Sequence, residues 1–187
     1  HPLSNLPKTH ALLALLCFHS ARLDTRLDAE GEIVLLEYQD RSRWNRQLIA
    51  LAYEHFKQSS RGEAISAYHL EAAIASYHAV APSFAQTNWQ AIYYCYNLLM
   101  KVQPSPIVAL NRAIALGYAD GPKAGIEALS KIEGMEKHYL WHTALGDFYQ
   151  KQGDKPAALA AYQKALEWVT LPAEHKVIQD KINYCSI

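Results

Sequence analysis

The sequence predicts an all-α fold, an array of antiparallel helical hairpins carrying one small β-hairpin near the N-terminus. Three observations carry that prediction. Between Tyr139 and Ala165, Leu145-Gly146 is followed by Tyr149, a Gly153-Asp154 turn, Ala158, Tyr162 and Ala165, the periodicity of one helix, a tight turn and a second helix. Ser105-Pro106 and Gly121-Pro122 each place a proline where the first turn of a helix tolerates it. Half of the 187 residues are apolar and only 19% are charged, with small alanines and 12 tyrosines prominent, a composition suited to closely packed helices.

Taken in order, Pro7 to Arg22 reads as a first helix with Leu12, Leu15, Leu16 and His19 at helical spacing. The period then changes. Arg22–Leu27 and Ile33–Leu36 read as extended runs around Asp28-Ala29-Glu30-Gly31, a β-hairpin turn with glycine at its left-handed position. Asp40 or Ser42 is placed to cap the next helix, whose expected buried stripe is Trp44, Leu48, Leu51, Ala52 and Phe56. A helix over Glu63–Val80 has apolar residues on two faces, Ile65, Tyr68, Ala72 and Ala75 on one and Leu70, Ala73, Tyr77 and Val80 on the other. It is expected to be central and to end before Pro82. Thr87-Asn88-Trp89-Gln90 has the form of a capping box with Thr87 as the cap, leading into a helix with Trp89, Ile92, Tyr93, Tyr96 and Leu99 on one face. Pro106–Tyr118 with Pro122–Ile132, the Tyr139–Ala165 pair, and a last helix over Ala173–Tyr184 complete the chain. The expected organisation is one continuous domain in two parts. Residues 1–62 hold the first helix, the hairpin and the Trp44 helix, and residues 63–187 hold the helical repeats and a terminal capping helix.

Eighteen basic residues balance eighteen acidic ones, so the formal net charge is zero. A module that grips nucleic acid through its phosphates normally carries a basic excess. Cys17, Cys95 and Cys185 are odd in number, widely separated and never arranged C-x-x-C, which argues against a disulfide frame or zinc knuckle and for a reducing cytoplasm. No apolar run approaches the roughly 18 residues of a membrane helix. Ala11–Phe18 lacks the basic leader and small-residue cleavage site of a signal peptide. The first residue is His1 rather than Met, as expected of a piece cut from a longer chain.

The Tyr139–Ala165 stretch resembles a tetratricopeptide unit, a helix–turn–helix repeat of about 34 residues. In that reading Gly146 permits close helix approach, Ala158 is the small residue facing it, and Tyr149, Tyr162 and Leu166 fill the groove around the contact. Leu110-Asn111 and Ala124 follow the same pattern one residue out of register, as a degenerate repeat. The helices over 63–80 and 88–102 form a more divergent pair. Two further stretches, Leu27–Asn45 (LDAEGEIVLLEYQDRSRWN) and Pro104–Ala115 (PSPIVALNRAIA), together with the Tyr68–Pro82 helix, resemble the C-terminal extension of bacterial extracytoplasmic-function sigma factors. In that group a tetratricopeptide-like domain follows the promoter-binding regions. The resemblance spans essentially the whole chain, and Gln39-Asp40-Arg41-Ser42-Arg43-Trp44 is its most specific run. The family's turn has two aspartates around the variable residue, where this chain has Asp28 and Glu30. The resemblance implies a non-catalytic domain acting in transcription initiation through its own sigma regions, core RNA polymerase or a regulator. DNA would be contacted only through regions outside this chain. The alternative is a free-standing adaptor that binds a peptide or partner protein.

The candidate partner-binding residues are Asp28, Glu30, Gln39, Asp40, Arg41, Arg43, Trp44, Asn111 and Arg112. Arg41, Arg43, Arg46 and Trp44 read either as a basic docking patch with Trp44 at its centre, or as internal packing in which the arginines pair with Asp40, Glu37 or the hairpin. Cations are unfavourable at a helix N-terminus, so these arginines are expected to have definite partners. Asp28-x-Glu30-Gly31 imitates part of a calcium loop, but its first ligand position would be Arg26, so an exposed acidic turn is the better reading. His138 and His142 share a spacing that suits one helix face, without a third ligand at a telling distance. Asn111 and Arg112 either line a peptide-binding groove or bond internally to a neighbouring helix. No nucleophile elbow, S-x-x-K, H-E-x-x-H or glycine-rich phosphate loop is present, so no enzyme, catalytic residue, metal, cofactor, membrane contact or small-molecule substrate is expected.

Overall fold

The computed structural model describes residues 6–62 and 64–185. Among them are nine α-helices: α1 (Pro7–Ser20), α2 (Arg46–Ser59), α3 (Ala67–Val80), α4 (Trp89–Val102), α5 (Pro106–Asp120), α6 (Pro122–Leu129), α7 (Tyr139–Gln152), α8 (Lys155–Leu166) and α9 (Pro172–Cys185). The chain forms two compact units, residues 1–103 and 104–187. Every helix expected from the sequence exists, but several caps and faces differ.

In the first unit, α1 packs on α2 and α3, and α3 packs on α4. Its core joins Ala14, Phe18, Ala21, Trp44, Ile49, Ala52, Ala72 and Ala79. The buried face of α1 is Ala11, Ala14 and Phe18, while Leu16 is 52% exposed. Small alanines face inward because α1 meets two helices at once, and close approach favours the smaller side chain. Of the stripe expected around α2, Trp44 and Ala52 are buried and Leu48 and Phe56 pack against the same core with Ile49, while Leu51 alone turns outward. Asn45, not Asp40 or Ser42, caps α2, accepting the backbone N–H groups of Gln47 and Leu48 at 3.0 Å. Asn88, not Thr87, caps α4 through the Ala91 N–H at 3.0 Å. The α3 helix begins at Ala67; the expected start at Glu63 lies outside the described residues, and Ile65 is exposed before the helix.

The expected β-hairpin is not formed. Between α1 and α2 the chain makes one isolated antiparallel bridge, Leu27 with Ile33, and Leu23–Thr25 is a 3-10 turn rather than a strand. The turn itself is as expected, with Gly31 left-handed at φ 82°. A two-stranded hairpin is marginal in water, and here Thr25, Gln39 and Trp44 bond across the segment while Arg41 ties it to the end of α3.

In the second unit, successive helices pack pairwise from α5 to α9. Two glycine notches set the spacing. A side-chain carbon on Gly117 or Gly125 would run into the Phe148 ring, and one on Gly125 would also lie 2.8 Å from the Gly117 Cα. Likewise, a carbon on Gly146 would strike the Tyr162 ring. The nearest group to Gly146 is thus the Tyr162 ring, which fills the notch that the glycine leaves open, and Ala158 is fully buried in the same cluster. Phe148 and Tyr162 are among the largest fully buried side chains. Ser105 caps α5 through the Val108 N–H at 3.2 Å, and Gly153 ends α7 in the left-handed conformation at φ 82°.

Candidate functional site

The segment from Arg22 to Trp44 lies between α1 and α2 and holds seven of the nine candidate residues. Three of these are buried: Gln39 at 8% exposure, Arg41 at 6% and Trp44 at 4%. Gln39 donates to the Val34 carbonyl at 2.9 Å and also meets Thr25 Oγ1. Trp44 Nε1 donates to the same Thr25 hydroxyl at 3.0 Å, and Thr25 Oγ1 donates to the Arg22 carbonyl at 2.9 Å. The polar side chains thus staple the turn to the end of α1 in place of a strand ladder.

Arg41 points away from the acidic turn. Its Nη1 donates to the carbonyls of His78 and Ala81 at 2.6 and 2.9 Å, its Nη2 to Thr87 Oγ1 at 3.3 Å, and its guanidinium lies 5.1 Å from the Trp44 ring centre. The expected partners Asp40 and Glu37 are not used. The reason is electrostatic: carbonyls at the C-terminal end of α3 carry the negative end of the helix dipole, and a cation completes their hydrogen bonding. Arg41 therefore ties the α1–α2 connection to the last turn of α3.

Four candidates remain exposed: Asp28, Glu30, Asp40 and Arg43. Asp28 Oδ1 accepts the Glu30 and Glu32 N–H groups at 3.0 and 2.8 Å, and the Asp28 N–H donates to the Glu32 carbonyl at 3.0 Å, which fixes the acidic turn. Asp40 Oδ1 accepts the Ser42 hydroxyl at 2.6 Å and its N–H at 2.9 Å, and those bonds hold its carboxyl below the usual range. No metal-holding group of three or more ligands occurs among the described residues.

Asn111 and Arg112 are half-buried on α5, in the second unit, and their side chains make no hydrogen bond or ion pair among the described residues. Of the two readings of Asn111, the side-chain bond to a neighbouring helix is not made among the described residues. His138 stands at the N-cap position of α7 without a side-chain capping bond, stacked on Tyr139 with its Nδ1 buried and unpartnered, while His142 is buried and bonds the Glu136 carbonyl at 2.8 Å.

Sequence reasoning missed a cavity of about 430 Å³ in the first unit. Leu15, Phe18, Leu36, Trp44, Ile74 and Ala75 supply its apolar wall, and His19, Arg22, Glu71, His78 and Tyr96 supply polar groups. Arg22 Nε and His78 Nδ1 are buried without a hydrogen-bond partner. Burial, followed by the nearby charges of Arg26 and Arg41, pulls Arg22 below its ordinary pKa. Burial, then Arg41, Arg22 and His19, pushes His78 down to about 3. Burial raises the Glu71 carboxyl, and burial with the Glu71 charge pushes Tyr96 up to about 12. The available signal was His19 and Arg22, one helical turn apart at the end of an otherwise apolar helix. Reading Arg22 as the start of a strand concealed it.

Residues 1–60 match a family of unknown function (DUF6596). That match contains α1, the connecting segment with Asp28 to Trp44, and α2. An uncharacterized protein of Rhizobium meliloti (strain 1021) is 33% identical over 179 residues, covering 95% of this chain and 42% of that protein. The chain thus spans less than half the length of that curated relative. No solved structure matches. No described helix is long and apolar enough to cross a membrane.

Proposed function

We propose that this chain is the non-catalytic, tetratricopeptide-like extension of an extracytoplasmic-function sigma factor, acting in transcription initiation in the cytoplasm through protein contacts. The observation that carries this reading is the internal use of the Gln39–Trp44 run. The residues most specific to the sigma-factor resemblance are those that fasten the α1–α2 connection, through Arg41 to α3 and through Gln39 and Trp44 to Thr25. Their burial leaves Asp28, Glu30, Asp40 and Arg43 exposed and charged, with the Asp28 and Asp40 carboxylates fixed by hydrogen bonds within their turns. A rigid polar edge loses little conformational entropy on docking, which favours recognition of a protein surface. The zero net charge agrees with DNA being contacted elsewhere in the assembly. The glycine–ring notches between paired helices support the repeat architecture.

The test is in vitro transcription and core-polymerase capture with the full natural protein, with and without residues 1–187. Altered promoter output or altered capture on deletion is expected; identical behaviour of the two proteins would overturn the proposal. Arg43→Glu sharpens it, because that exposed side chain can lose a partner contact without disturbing the fold.

One observation favours the alternative, an adaptor that binds a peptide. Asn111 and Arg112 have unused hydrogen-bonding capacity on α5. An adaptor would capture peptides with an affinity lost in Asn111→Ala and Arg112→Ala, and would ignore polymerase.

A further inference from the structure

The first unit contains a charge imbalance that its fold does not correct. Around the cavity of about 430 Å³ stand Arg22, His19 and His78, with Arg41 directly behind. Arg41 is satisfied by two carbonyls and a hydroxyl. Arg22 is not: its guanidinium makes no hydrogen bond or ion pair among the described residues, and its Nε is sealed from water. Glu71 is the one carboxylate lining the cavity, and it forms no ion pair with Arg22 or either histidine. A guanidinium stays protonated under any condition the protein meets, so its charge cannot be relieved by losing a proton. A buried donor without an acceptor is costly, and here it belongs to a half-buried guanidinium that keeps its charge.

Beside these polar groups the wall is apolar and aromatic, from Leu15, Phe18, Leu36, Trp44 and Ile74. The volume falls in the roughly 300–1,000 Å³ range of small-molecule sites, which pair an apolar lining with a few orienting polar groups. We infer that this cavity binds an amphipathic small-molecule anion, its carboxylate or phosphate head on Arg22 with His19 and His78 beside it, and its apolar body against Phe18, Trp44 and Ile74. Among the described residues no group of three or more metal-ligating side chains accompanies it. The site also has a route to the exposed edge. Arg41 bonds the backbone carbonyl of His78, one of the lining residues, and the same arginine anchors the segment carrying Asp40 and Arg43. The inference stands whether or not the chain acts on a polymerase.

The experiment is calorimetric titration and thermal unfolding of the whole chain with phenylbutyrate and octanoate as carboxylates and phenyl phosphate as the phosphomonoester. Phenylbutanol and octanol serve as uncharged controls. At least one anion is expected to bind and raise Tm by several degrees, its alcohol counterpart binding at least about ten-fold more weakly. The carboxylate and phosphate arms decide which head group the site takes. In Arg22→Met the anion is expected to lose about ten-fold or more in affinity, while the unliganded Tm stays level or rises because an uncompensated cation has gone. Absence of binding by every anion, equal binding by the alcohols, or undiminished binding in Arg22→Met would each overturn the inference. A large drop in unliganded Tm for Arg22→Met would also overturn it, by showing the guanidinium to be structural.

Discussion

The two compact units solve the same packing problem with opposite materials. In residues 104–187, aromatic rings seat into glycine notches, and the polar atoms of those rings are satisfied on the spot. Tyr162 is wholly buried, yet its hydroxyl donates to Asp147 at 2.7 Å or to Gln150 at 2.8 Å, and Lys181 pairs with Asp147 at 2.6 Å. In residues 1–103, small alanines bring the helices together, and the connection between α1 and α2 is held by a buried arginine on carbonyls. Beside that arginine the unit keeps a cavity with an unsatisfied cation. Each unit leaves two buried polar nitrogens without a partner, Arg22 Nε and His78 Nδ1 in the first and His138 Nδ1 and Trp168 Nε1 in the second, but only in the first does one of them belong to a permanent cation beside a cavity. Leftover buried polar groups are where ligands are recognised.

The contrast can be broken first at Tyr162. Replacing it with Ala empties the Gly146 notch and removes the Asp147 contact; the loss of stability should be about 4 kcal/mol, read from denaturant midpoints. Gly146→Ala, which pushes the ring out instead, should cost about 2 kcal/mol. Combined with Tyr162→Ala it should cost much less than the sum, because the clash then has no partner. Full additivity would mean that ring and glycine do not share one notch.

Next comes the arginine pair. Arg41→Met leaves the His78 and Ala81 carbonyls without their donor and should cost about 2 kcal/mol, whereas Arg22→Met should cost nothing. Equal losses for the two would erase the distinction between a structural and a spare cation.

Acid titration gives a smaller, graded effect. His78 has its folded-state pKa lowered to about 3, so the unfolded chain binds a proton that the folded chain refuses. The corresponding stability is present above about pH 6.5 and is lost as pH falls toward 3, with a slope of at most about 1.4 kcal/mol per pH unit from this group. The raised Glu71 carboxyl opposes that trend and the lowered Asp40 carboxyl adds to it. His78→Phe should therefore flatten the urea midpoint between pH 6.5 and 4; an unchanged profile would mean that His78 is not buried as a neutral ring. Smallest is Asn45→Ala, about 1 kcal/mol for the loss of the α2 cap, with ligand binding unaffected.

Much of the helical layout was legible in the sequence because periodicity, proline starts and glycine stops are local signals. Ser105-Pro106, Gly121-Pro122 and Gly153 each do in the structure what their neighbours imply. Faces were harder to read. Leu16 and Leu51 obey the helical period, but which stripe turns inward depends on how close the next helix comes, and that is not written within either helix. The hairpin misled for a related reason. Leu27–Ile33 alternates like a strand pair, yet Thr25, Gln39 and Trp44 bond across the segment, and a single bridge is all that remains.

Site residues divided the same way. The acidic turn at Asp28–Gly31 could be read from its own four residues. Arg41 could not, since its acceptors lie 37 and 40 positions further along the chain. Nor could the cavity, whose walls come from α1, α3, α4 and the connecting segment together.

Hydrogen exchange on the whole chain, with and without whichever anionic probe binds most tightly, tests the division most directly. If the first unit holds the ligand and the second does not, added protection will fall on Leu15–Arg22, Ile74–Ala79 and the turn of α4 around Tyr96, with exchange in 104–187 unchanged. Protection gained in the glycine-notched helices instead, with none around Arg22, would contradict it.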